Sequence, residues 1–240
     1  MKELIKLDKN QSILRAKQLL EEFDQDFQSS KVDELREIFP RYVALYTKFI
    51  YKPDIVVRGI NPSYFSTSKV DNLNTEEEDR IVLALKGVHE LNAYTEYTKP
   101  RYHCSLVKDI RKIRGKNYLD ESLMGWNDCF IQSPGQGGMR NLNEEAKRID
   151  KKNENTFCLD LIKKSKLIAK KLEYLVKPKL IIYAGSKSGP NNGWDRNPLY
   201  QMKKDTKETM WGGKKIVVKH FSYGCKTRVA EIQALIDNLD

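Results

Sequence analysis

The chain has 240 residues, 43 of them basic and 33 acidic, giving a net charge of +10 and a sequence pI near 9.2. That length suits one large α/β domain with its own core rather than two full domains, and the charge favours a polyanionic partner. No apolar run approaches the ~18 residues of a membrane helix and no charged-then-apolar leader opens the chain, so a soluble, intracellular protein with no membrane role is expected, cytoplasmic by default.

Cys104, Cys129, Cys158 and Cys225 lie far apart, without a C-x-x-C pair and with only three histidines to assist them. A zinc site and a disulfide framework are both disfavoured, and reduced, partly buried thiols are expected. No metal and no cofactor enters the expectation.

In chain order, Ile13, Leu20, Phe23 and Phe27 recur at helical spacing, and Leu35, Ile38, Phe39, Tyr42, Leu45 and Phe49 repeat the pattern. The first 50 residues are therefore expected to be mostly helical, with a break or kink at Pro40 and an end at Lys52, before Pro53. Ile55, Val56, Val57 and the aliphatic stem of Arg58 make an apolar run too short for a helix, bounded by Pro53 and Gly59, which reads as a buried parallel strand. It leads into Ile60, Asn61 and Pro62. Ligands of open α/β sheets bind beyond the carboxyl ends of the strands, so Asn61 is the first candidate for chemistry.

Residues 64–74 read as loop, and the capping box Thr75–Glu78 starts a helix from about Glu76 to His89, carrying Ile81, Leu85 and Val88. His89 reads as a surface or capping histidine. Asn92–Arg101 reads as loop, followed by a helix with Leu106, Ile110 and Ile113 that stops at Gly115–Asn117. Leu123–Ile131 reads as a short strand running into a glycine-rich loop, Gln132–Gly138. From Thr156 to Val176, Phe157, Leu161, Ser165, Ile168, Leu172 and Leu175 mark an amphipathic helix that ends before Pro178. Leu180–Ala184 is the clearest buried strand and enters Gly185–Gly189, which has neither Walker nor dinucleotide-binding spacing. Gly212 and Gly213 form a turn, Ile216–Val218 is another strand, and His220 to Gly224 follow its carboxyl end. A last helix carries Val229, Ile232, Ile236 and Leu239.

Strands ending in Asn61, near Asn127, in Gly185–Lys187 and in His220–Ser222 would bring these polar groups to one crevice if they share a sheet. Amides, a histidine, small hydroxyls and a lysine can read a nucleobase edge and hold phosphates, but supply no strong nucleophile and no metal cage.

In that order and spacing, from about Asp54 to Gly224, the chain resembles the uracil-DNA glycosylase superfamily. The likeness rests on Gly59–Pro62 (G-I-N-P), an asparagine-bearing strand, a long helix leading to Pro178–Ser186 (P-K-L-I-I-Y-A-G-S), and the H-x-S of His220–Ser222. The G-I-N-P form is most similar to the mismatch-specific branch, which handles uracil and thymine opposite guanine. The resemblance implies that Asn61 orients the attacking water, that His220 donates to the uracil carbonyl oxygen as charge develops on the departing base, and that Asn127 reads the Watson–Crick edge of the extruded base. It also implies that Gly185, Ser186 and Ser222 grip flanking phosphates, with Lys187 adding charge and Tyr223 filling the gap left by the flipped nucleotide. Tyr64 and Phe65 are candidates for stacking on the base.

Three departures accompany the likeness. Ser63 stands where the classical branch has a tyrosine that excludes the thymine methyl, Phe221 replaces a proline between histidine and serine, and the paired cysteines of the iron–sulfur branches are missing.

The expected architecture is a three-layer α/β/α domain over residues 51–240, with a short, mainly parallel central sheet of the uracil-DNA glycosylase kind, preceded by a helical N-terminal extension over residues 1–50. The expected function is a monomeric DNA glycosylase that hydrolyses the N-glycosidic bond of uracil, or a related deaminated base, flipped from DNA in base excision repair. The alternatives are a catalytically silent nucleic-acid-binding protein of the same fold and a hydrolase of free nucleosides or nucleotides.

Overall fold

The protein's structure, a computed structural model, describes residues 1–59, 75–96, 104–133, 138–184, 207–218, 233–234 and 236–239. The chain opens with helices α1 (Lys2–Lys6) and α2 (Lys9–Gln28). Asp8 and Gln11 form a reciprocal capping box at the start of α2, satisfying two backbone donors the first turn would leave unpaired. Ala16, Leu19, Leu20, Phe23 and Phe27 then line its buried face. After a single 3₁₀ turn, Ser30–Val32, α3 covers Asp33–Ile38.

The expected helix through Phe49 ends there. Pro40 lies just beyond α3, and the chain from Tyr42 to Thr47 is buried on every side rather than along one stripe. Such a run satisfies helical and extended spacing alike, and the backbone partners decide. The Val43 amide donates to the Phe130 carbonyl at 2.9 Å, Ala44 and Leu45 to Leu85 at 2.9 and 3.1 Å, and Tyr46 to Gly125 at 2.9 Å. Isolated antiparallel bridges join Tyr42 to Ile131 and Leu45 to Trp126.

The apolar run at residue 55 is strand β1 (Ile55–Gly59). Helix α4 (Thr75–Ala84) is shorter than expected, and the segment read as loop contains the short α5 (Ala93–Glu96). Helix α6 (Cys104–Arg114) stops at Gly115, whose φ of 84° suits glycine, and α7 (Lys116–Ser122) begins at once. Strand β2 (Leu123–Asn127) follows, shorter than the expected 123–131.

Helix α8 (Gly138–Lys152) has no counterpart among the expected elements. It is richly charged and buries little more than Leu142, Ala146, Ile149 and Asp150. Helix α9 (Phe157–Val176) and strand β3 (Leu180–Ala184) stand where the sequence predicts them. Asp150 caps α9, its two carboxylate oxygens accepting from the amides of Cys158 and Leu159 at 2.9 Å each. The two-residue β4 (Lys207–Glu208) turns through Gly212 and Gly213 into β5 (Lys214–Val218). Of the last expected helix, residues 233–234 and 236–237 are helical, and Ile236 is buried.

Strands β2, β1, β3 and β5 lie side by side in that order, all parallel, with β4 antiparallel on the edge of β5. The fold is thus α/β, a four-stranded parallel sheet flanked by helices. On one face Val56, Met124, Trp126, Ile181 and Tyr183 pack with residues of α2, α8 and α9, so the N-terminal helices rest against the sheet. On the other, Ile55, Val57, Leu123, Leu180, Ile182 and Ile216 pack with Ile81, Leu85, Val107, Ile110, Leu119 and Ile236. Burial on both faces explains why the strands read as continuous apolar runs. Among the described residues no helix is long and apolar enough to cross a membrane.

Gly213 sets how closely the β4–β5 turn approaches the sheet, because a Cβ there would lie 2.3 Å from the Pro178 carbonyl oxygen and 3.0 Å from that of Lys179. Gly213→Ala is expected to destabilise the fold by about 1–3 kcal/mol, as overpacking does in rigid surroundings. A urea unfolding midpoint for the variant equal to that of the wild type would refute this.

Candidate functional site

Because the four long strands are parallel, their carboxyl ends share one edge of the sheet. Gly59 of β1 is in register with Asn127 of β2, and Ala184 of β3 with Val218 of β5. From β1 the chain leads to β2 on one side and then crosses to β3 on the other, so the point where the connections diverge lies between β1 and β3. In open α/β sheets that divergence opens a crevice beyond the carboxyl ends.

Asn127 is the candidate residue that the structure describes. It is buried at the last position of β2, and its Nδ2 donates to the phenolic oxygen of Tyr46 in a short hydrogen bond. Tyr46 is itself fixed at both backbone groups, its amide donating to Gly125 and its carbonyl accepting from Ala93 at 2.8 Å. Its ring meets Tyr94 at a centroid separation of 6.0 Å. Tyr94 crosses β2 at Gly125, where a Cβ would lie 2.1 Å from its phenolic oxygen. Asn92 anchors this corner, accepting from the Tyr94 amide at 3.0 Å and donating to the Leu119 carbonyl and the Asp120 carboxylate at 2.9 Å each. An amide held this way presents hydrogen-bonding groups from a rigid, poorly solvated wall. Neither Tyr46 nor Tyr94 stands out in the sequence, since both sit in stretches that read as helix or loop.

Asn61, Ser63, Tyr64, Phe65, Gly185, Ser186, Lys187, His220, Ser222 and Tyr223 lie outside the described residues.

On the opposite face, directly behind the carboxyl ends of β1 and β2, lies a buried charge cluster. Arg58 forms ion pairs with Asp128 and Glu173, and all three side chains are about 1 % exposed. Lys215 reaches Glu173 at 2.9 Å, and the Tyr183 hydroxyl donates to the same carboxylate. The Arg58 guanidinium also lies 5.4 Å from the Tyr183 ring centroid, within cation–π range. Burial pushes the Glu173 carboxyl up, but Arg58, Lys215 and the Tyr183 hydroxyl outweigh it and hold it below its ordinary value. Burial and the neighbouring Glu173 carboxylate raise the Tyr183 phenol, so it stays protonated and donates. A signal for this cluster exists in the sequence. Arg58 interrupts an apolar strand, and Glu173 falls four residues after the buried Ala169 on the apolar stripe of α9; charged residues so placed need partners.

The His89 ring bonds the Leu45 carbonyl at 3.1 Å, a structural role. Cys129 and Cys158 are free, buried thiols that burial pushes up to about 12, so neither is ionised near neutrality.

Removing one partner from the cluster leaves buried charge uncompensated, so Arg58→Met is expected to cost about 3–5 kcal/mol. Arg58→Met/Glu173→Gln should cost clearly less than the sum of the single changes, and additive losses in a urea double-mutant cycle would show that the charges are not coupled. The folded-state carboxyl of Glu173 lies below its ordinary value of 4.5, so its stabilisation is full above that pH and is lost as pH falls through the folded value. Glu173→Gln should therefore flatten the acid limb of stability below about pH 4.5, whereas a limb as steep as that of the wild type would contradict the assignment. No protein-family model and no curated protein matches the chain, so its function is argued from its own residues.

Proposed function

We propose that the protein is a DNA glycosylase of uracil-DNA glycosylase-like fold, which hydrolyses the bond between deoxyribose C1′ and the base nitrogen of uracil, or a related deaminated base, flipped from DNA. The observation that carries this reading is the buried amide of Asn127 at the carboxyl end of β2, in register with Gly59. Asn61 follows Gly59 by two residues, Gly185 follows Ala184 directly, and His220 follows Val218 by two. Two residues of chain reach at most about 7 Å, so the four candidate groups belong to one edge of one sheet.

The chemistry suits such a set. Asparagine is no strong base, but an amide can orient water when the glycosidic bond is largely broken before attack and the sugar cation supplies the activation. Water then forms the new C1′–O bond and loses a proton, while the electron pair of the broken bond leaves with the base. A hydrogen bond from neutral His220 to the base carbonyl oxygen stabilises that charge. Asn127 reads the base edge, and the net charge of +10 supports a DNA partner whose phosphates Gly185, Ser186, Lys187 and Ser222 would hold, with Tyr223 as wedge. Ser63 leaves that part of the pocket wall without a bulky ring, and Tyr64 and Phe65 are the stacking candidates.

The test is incubation with labelled oligonucleotides carrying one uracil, single-stranded or opposite guanine or adenine, followed by alkali to cut abasic sites. Strand scission is expected, reduced about 10²–10³-fold in His220→Ala, as for loss of one donor to a developing oxyanion, and at least about 10²-fold in Asn61→Ala. A folded wild-type protein that releases none of the deaminated bases would sink the enzyme reading. Salt-sensitive retardation of DNA without base release would then identify a silent binding protein.

A further inference from the structure

An amide side chain has two ways of facing a ligand, and they are chemically opposite. With one Nδ2 hydrogen engaged, Asn127 has a single amide hydrogen and the Oδ1 acceptor left to offer. Among the described residues, the Tyr46 phenol is the only hydrogen-bond partner of that side chain. The remaining donor and acceptor complement a base edge that accepts at its position-4 oxygen and donates from N3–H, as uracil does. Turning the amide by 180° would bring Oδ1 to Tyr46 and present the reverse pair, which complements cytosine, with its N4 donor and N3 acceptor.

We propose that Tyr46 is a positioning residue, its phenol fixing the Asn127 amide in the orientation that selects a uracil-type edge over a cytosine-type edge. This rests on the glycosylase reading above. The surroundings leave the phenol little freedom. Tyr46 is fully buried, with its amide tied to the Gly125 carbonyl of β2 and its carbonyl tied to the Ala93 amide of α5. Tyr94 packs against the ring at 6.0 Å and is confined in turn by its crossing over Gly125 and by its amide bond to Asn92. The next residue of the same segment, Thr47, accepts from the Gly125 amide at 3.3 Å, which fastens the segment to β2 two residues before Asn127. Substrate selection is thereby built partly from the N-terminal 50 residues, outside the stretch on which the family resemblance rests.

Tyr46→Phe in the full chain removes the phenol and keeps the ring. Single-turnover base release is measured on matched oligonucleotides carrying one uracil or one cytosine at the same position, with binding to abasic DNA measured alongside. Uracil release is expected to fall about 10–100-fold, the usual effect of losing a group that orients a contacting residue. The uracil-to-cytosine ratio should fall with it, while affinity for abasic DNA, which offers no base edge, is unchanged. An unchanged ratio in a folded, active Tyr46→Phe overturns the proposal. A wild type silent on every base fails the glycosylase reading instead, and the positioning is then read without turnover by NMR of ¹⁵N-asparagine-labelled protein. There the Asn127 side-chain amide protons should be protected from exchange in the wild type and lose that protection in Tyr46→Phe. Equal protection in the two proteins overturns the positioning role.

Discussion

The ion cluster of Arg58 with Asp128 and Glu173 is the constraint around which the sheet is arranged. An arginine inside a parallel sheet, about 1 % exposed, is tolerable only where anions meet it. Here those anions come from the residue after β2 and from the last turns of α9, and Lys215 of β5 completes the set. Strands β1, β2 and β5 and helix α9 are therefore joined by charge as well as by apolar packing. Hydrophobic contact is forgiving of small slips in register, whereas a buried ion pair is not.

That stringency acts at the end of the sheet where the candidate chemistry lies. Asp128 follows Asn127 directly, and its own amide donates to the Gly59 carbonyl at 2.9 Å, so the partner of Arg58 also locks the carboxyl end of β2 to that of β1. The Ser165 hydroxyl of α9 adds a second fastening, donating to the Asp128 carbonyl and accepting from the Phe130 amide at 2.7 Å. Asn127 is thus held from both faces of the sheet, by Tyr46 on its own side and through the backbone of its neighbour on the other. A side chain that must tell bases apart by the direction of its hydrogen bonds benefits from such support.

How far this was legible in the sequence depended on what each segment buries. Strand β3 and helix α9 were plain, because a five-residue apolar run after a proline and a twenty-residue amphipathic stripe each admit one regular structure. The Tyr42–Thr47 segment was not, since uniform burial erases periodicity and its backbone partners come from distant carbonyls. Helix α8 escaped notice because its apolar stripe is thin among many charges, and its stability draws on α9, which it caps through Asp150. At the site, Asn127 was legible as a polar residue ending a strand. Tyr46 was not, because only the tertiary fold brings a residue of the N-terminal segment to the end of β2. Arg58 was visible but misjudged, since counting its stem as apolar passed over the charge that had to be matched.

The cluster also bears on where the surplus positive charge resides. Arg58 and Lys215 are answered within the interior by Asp128 and Glu173, two charges of each sign, so the core subtracts nothing from the net charge of +10. The excess therefore belongs to the rest of the chain, where solvent and partners meet it. Part of that remainder is already paired across the surface, as in Lys164 with Asp26 and Lys152 with Glu34, both on the side of the N-terminal helices. A polyanion attracted to this protein is drawn by long-range charge that carries no sequence information. Discrimination has to come from neutral groups fixed in place, and the Asn127 amide is of that kind.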